Sequence, residues 1–102
     1  MAETRLYFIP SVVWVLDQPQ SVDDRQGPVR HYARSYYVVA TDDKDAMELV
    51  RAEEERSGAT LLDCESPISK REDLVAAEIG NRFAPGGRGV KWRSGRAFFR
   101  SH

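Results

Sequence analysis

Ser35 to Cys64 reads SYYVVATDDKDAMELVRAEEERSGATLLDC, and the fold turns on this stretch because strand, helix and strand signals follow one another in it without a gap. Tyr36 to Ala40 is β-branched, aromatic or small, which suits a strand at least half buried. Thr41, Asp42 and Asp43 then offer short side chains that accept hydrogen bonds from the free N–H groups of a first helical turn. Asp43 and Asp45 complement the positive end of the helix dipole, so a helix starts near residue 42. Ala46, Leu49 and Val50 recur at helical spacing, with Glu48, Arg51, Glu54 and Glu55 mostly on the other side, and Gly58 stands where a glycine ends a helix. A strand, Thr60 to Glu65, follows at once. Alternation places Leu62 and Cys64 on one face and Asp63 and Glu65 on the other, and predicts Cys64 in the core.

Upstream, Leu6 to Ile9 and Val12 to Leu16 read as strand, with Pro10 marking a bulge or an edge position. Val12, Trp14 and Leu16 share one face while Val13 and Val15 share the other, so the strand needs cover on both sides. Helices supply one cover. The other is further structure or a second copy, and a homodimer is therefore an expectation. Gln18 to Pro28 is polar and rich in turn formers and reads as a long exposed connection. Arg30 to Ala40 returns antiparallel to the first strand.

Downstream, Ser69-Lys70-Arg71-Glu72 fits a capping box, predicting a second helix from about Lys70 to Arg82 with a buried stripe of Val75, Ala76, Ile79 and Phe83. Pro85-Gly86-Gly87 stops it. Arg88 to Arg93 and Arg96 to Ser101 alternate around Ser94-Gly95, which predicts a hairpin. Val90, Trp92, Ala97 and Phe99 then face inward, and Lys91, Arg93, Arg96, Phe98 and Arg100 face outward. One uninterrupted strand is the alternative, with poorer segregation of the two faces. The expected fold is α+β in the order ββαβαββ, a mainly antiparallel sheet with two helices on one face.

A chain of 102 residues with 41% hydrophobic and 30% charged residues fits one soluble domain. The apolar run Leu6 to Leu16 is broken by Pro10 and Ser11 and is too short to cross a bilayer, and no signal-peptide order precedes it. A cytoplasmic protein without membrane partners is the expectation. The single cysteine, Cys64, excludes an internal disulfide and a cysteine-based zinc cage. Net charge is only −1, but residues 41–78 carry twelve acids against five bases while residues 79–102 carry six bases and no acid. The acidic middle and the basic end either attract each other within the fold or offer a pole to a partner.

Four cations around one aromatic on the outer hairpin face resemble a surface for single-stranded nucleic acid, and equally one for an acidic protein. Lys91, Arg93, Arg96, Phe98 and Arg100 are the candidate partner-binding residues, with Asp42, Glu48 and Glu55 as a secondary acidic surface. Glu53-Glu54-Glu55-Arg56 reads as the wet face of the helix. The glycines at 86, 87 and 89 follow a helix and precede a strand, the reverse of a phosphate-binding loop, so they read as a connector. Two histidines, His31 and His102, suggest no metal site, and no cofactor motif is present. A small enzyme, or an inactive relative of one, requires His31, Asp63 and Glu65 to line one pocket. The sequence therefore points first to a small non-enzymatic module, an inhibitor or adaptor, that binds a protein or a protein–nucleic acid complex through charged surfaces. Second is nucleic-acid binding through the C-terminal hairpin.

Overall fold

The computed structural model describes residues 4–21, 27–70 and 87–100. Two long antiparallel strands, β1 (Arg5–Ser21) and β2 (Pro28–Ala40), form the spine of one sheet. The helix α1 (Asp43–Arg56) follows β2 after a two-residue link, and β3 (Ala59–Cys64) and β4 (Ile68–Lys70) then lie end to end along the outer side of β1. On the other side, β5 (Gly89–Arg93) and β6 (Ala97–Phe99) lie end to end along β2. All the pairings are antiparallel, and the sheet is four strands wide.

The ends of α1 follow from the sequence. Asp42 holds an extended backbone and its Oδ1 accepts from the Asp45 N–H at 2.7 Å, the N-cap bond expected of that residue. Gly58, just past the helix, has φ 83°, a left-handed conformation in which a side chain is strained. The core lies between α1 and one face of the sheet: Ile9, Val12, Trp14, Leu16, Tyr32, Tyr36 and Val38 pack on Ala46 and Val50. A register shift between Ile9 and Val12 moves the inward parity of β1 from odd to even positions, so Tyr7 and Ile9 share the core face with Val12 and Trp14. The bulge falls at Pro10, as its missing N–H requires, and the Ser35 hydroxyl donates to the Pro10 carbonyl at 3.0 Å. On the opposite face Leu6 and Val39 form a small second cluster with Tyr37, and the rings of Phe8, Tyr37 and Trp92 follow one another across three strands. Val13 and Val15 are half-buried there.

Four expectations need correction. Among the described residues there is one helix, not two on one face, and the element order is ββαββββ. The capping box fails at its first residue: Ser69 sits inside β4, paired with Tyr7, where the open edge of β1 claims the backbone of Ile68 to Lys70. The rest of that predicted helix, Val75, Ala76, Ile79 and Phe83 included, lies outside the described residues. The connection from Gln18 to Pro28 is shorter than expected, since β1 runs on to Ser21 and Gln20 pairs with Val29. Finally, the C-terminal segment is not a hairpin. β5 and β6 both pair with β2, so Ser94-Gly95 is a break within one edge strand. The outer edge of β2 has backbone groups to satisfy beyond the reach of β5, and a segment folded back on itself would leave those of His31 to Ala33 without a strand partner.

Candidate functional site

The residues expected to form an outward basic face divide: Lys91 is buried and Phe98 packs on the core, whereas Arg93 and Arg100 stay at the surface with partners inside the chain. Arg88 pairs with Asp45 at the start of α1, its Nε 2.8 Å from Oδ2, and Arg93 Nη1 lies 2.9 Å from Glu53 Oε1. The Arg96 guanidinium stands over the Tyr32 ring, 4.8 Å from its centroid, and Arg100 donates to the Gly27 carbonyl at 2.9 Å. Lys91 is buried, with 5% of its surface exposed. A register shift between Tyr37 and Val38 puts it in a bulge of β5. Phe98 packs against the core beside Tyr32, ring centroids 5.6 Å apart, instead of standing free among the cations. Each of the five cations of residues 87–100 thus has a partner or a packed position within the chain, and two of them, Arg88 and Arg93, tie the C-terminal strand to acids of α1 at the surface.

The seam between α1 and the C-terminal strand ends in a network that sequence reasoning missed. Glu54, 0% exposed, accepts from the Tyr32 hydroxyl at 2.7 Å, the Tyr36 hydroxyl at 2.7 Å and Arg34 Nη1 at 2.9 Å. Tyr36 in turn accepts from Trp14 Nε1 at 3.0 Å. Arg34 Nε donates to the Ser94 carbonyl at 2.6 Å, and Ser94 exchanges bonds with the Ser35 backbone through its N–H and Oγ, which explains the break in the edge strand. Burial works to raise the Glu54 pKa, but the two hydroxyls and the Arg34 charge outweigh it and hold the carboxyl below its ordinary value. Burial, then hydrogen bonding to Glu54 and its negative charge, pushes both phenols above theirs. The signal was present: Glu54 lies four residues beyond Val50 and eight beyond Ala46, on the buried stripe, and Tyr32, Arg34 and Tyr36 alternate on one face of β2.

The acids divide into two groups. Asp45 and Glu53 pair with arginines of residues 88–93, Glu54 pairs with Arg34 of β2, and Glu55 pairs with Arg51 one turn back. Asp42, Asp43, Glu48, Asp63 and Glu65 are exposed and form no ion pair among the described residues; Glu48 only adds to the field around Arg88. Of the expected acidic surface, Asp42 and Glu48 form no ion pair among the described residues, and Glu55 is exposed and pairs with Arg51 at the surface.

The end of β3 differs from expectation as well. Its ladder with β1 shifts between Val13 and Trp14, leaving Leu62 as the unpaired bulge residue. Ala59 is buried and Leu61 packs on the core, the bulge turns Leu62 out at 57% exposure, and Cys64, opposite Val12, is an exposed free thiol. The predicted core position of Cys64 is thereby overturned. Between α1 and the β3–β4 connection lies an open cleft of about 260 Å³, lined by Asp43, Met47, Cys64, Glu65 and Pro67 among others. His31 lies elsewhere, in a cleft of about 160 Å³ with Arg30, Phe99 and Arg100, so His31 and Glu65 line no common cleft. Among the described residues no group of three or more His, Cys, Asp or Glu side chains gathers in a way that could hold a metal ion, and no helix is long and apolar enough to cross a membrane. The chain matches no family model, and no curated protein or solved structure matches it either.

Proposed function

We propose that the protein is a small cytoplasmic binding module, an inhibitor or adaptor without catalytic activity, that meets a basic protein partner with its acidic edge, the start of α1 and the end of β3. One observation carries this: the cations of residues 87–100 each have a partner or a packed position within the chain, while Asp42, Asp43, Glu48, Asp63 and Glu65 form no ion pair among the described residues. Charges already satisfied within a fold add little to association, whereas exposed unpaired charges steer and select a partner of opposite sign. Exposed Leu62 beside those acids supplies apolar contact area of the kind interface centres use.

The test is affinity capture with three forms of the chain. Wild type and Arg93→Gln/Arg100→Gln retain the same partner, and Asp43→Lys/Glu65→Lys loses it. The reverse pattern, with the partner lost only when the arginines are neutralised, returns the C-terminal strand to first place.

A further inference from the structure

We infer that the cleft between α1 and the β3–β4 connection seats an apolar side chain of an extended peptide segment, with lysine or arginine on either side of that anchor. This rests on the proposal that the acidic edge faces the partner, and it adds the mode of contact. The cleft is lined by half-buried Met47 and Pro67, by exposed Cys64 and by exposed Asp43 and Glu65, with Lys44 as the one cation there among the described residues. At about 260 Å³ the cleft falls below the roughly 300–1,000 Å³ of sites for whole small molecules, and it suits a single anchoring side chain better. Leu62, two residues before Cys64, is a further exposed apolar side chain on β3, at 57%. The exposure of Leu62 has a structural cause, since the bulge turns it out of the ladder.

Two other occupants fit less well. A second copy related by a two-fold axis would set Asp43 and Glu65 against themselves, like charge on like. A partner strand extending the sheet would meet the Leu62 bulge and find the Cys64 N–H already taken by Asp63 Oδ1 at 2.9 Å, both features that guard an edge. A basic segment docking by its side chains satisfies the charge and the cleft together.

The experiment is an amide-shift titration of the isotope-labelled full chain with two capped peptides, Lys-Arg-Leu-Arg-Lys and Lys-Arg-Ser-Arg-Lys. The leucine peptide is expected to shift amides of residues 43–47 and 64–67 and to bind about tenfold more tightly than the serine peptide, the scale of burying one leucine side chain. It should also slow alkylation of Cys64 by iodoacetamide in the unaltered protein. Met47→Lys should remove the preference for leucine. Equal binding of the two peptides, lost in Asp43→Lys/Glu65→Lys, would overturn the anchor while leaving the acidic-edge proposal standing. Binding that persists in that double variant would overturn both. Failure of the leucine peptide to bind, or shifts that map elsewhere, would overturn the anchor.

Discussion

Replacing Glu54 by leucine keeps the side chain's approximate size and removes its charge, leaving Arg34 with 12% of its side chain exposed and its ion-pair partner gone. The hydroxyls of Tyr32 and Tyr36 lose their acceptor in the same step. Deleting one partner of a buried ion pair costs about 3–5 kcal/mol, and each stranded buried hydroxyl adds a desolvation penalty that overlaps with it, so about 4 kcal/mol is the expected loss. That is a large share of the roughly 5–15 kcal/mol that holds a domain of this size together. In urea, with a slope of about 2 kcal/mol per molar, the unfolding midpoint should fall by about 2 M. Glu54→Gln keeps one carbonyl acceptor and should lose roughly half as much. Arg34→Met combined with Glu54→Leu should be more stable than Glu54→Leu alone, because the buried cation leaves with its partner. Glu54→Leu within about 1 kcal/mol of wild type would refute the claim that this network fastens α1 to the sheet.

Three further outcomes follow from the same geometry. Both phenols have raised pKa values in the folded chain, so their contribution is intact below the ordinary 10.0 and is lost as pH rises past it, when the unfolded chain ionises first. Stability should then fall by about 2.7 kcal/mol per pH unit for the pair and by half that in Tyr32→Phe, measured by urea unfolding between pH 9 and 11; an alkaline limb unaltered by Tyr32→Phe would contradict it. Glu54 is depressed, so its contribution is present above the ordinary carboxyl range and is lost as pH falls through the lower folded value, and Glu54→Gln should flatten acid unfolding there. Gly58→Ala should cost about 1 kcal/mol by thermal melt, because φ is 83° while the nearest atom to the new Cβ is Asp17 Oδ2 at 3.8 Å, which makes the cost conformational and not steric.

What the sequence made legible was local. The Asp42 cap, the Gly58 exit and the Pro10 bulge each depend on one residue's own chemistry, and all three stand where the residue types put them. Parity along a strand was not legible past a register shift. The bulge at Leu62 turns that residue away from the core face, and nothing in TLLDC marks it; Cys64 keeps its place opposite Val12 but lies exposed at the cleft beside α1. Ser94-Gly95 is a good turn by composition, but the choice between turning and continuing was made by the unpaired length of β2, a non-local demand. Glu54 was assigned to solvent because glutamate is rarely buried. Its partners sit some twenty residues away on β2 and become visible only once strand and helix periodicities are superposed. The outward arrangement expected of Lys91 and Phe98 was lost to a bulge and to core packing, and Arg93 meets Glu53, an acid that a linear reading placed in water.

The central claim is that the basic end of the chain is spent on the fold and the acidic edge faces outward. The most direct measurement is a fluorescence titration with short single-stranded DNA and RNA at low and moderate salt, following Trp14 and Trp92, the latter within β5 itself. The account predicts no salt-sensitive binding by wild type, because the cations of residues 87–100 are already matched by partners within the chain. Binding that weakens steeply with salt and disappears in Arg93→Gln/Arg100→Gln would contradict it.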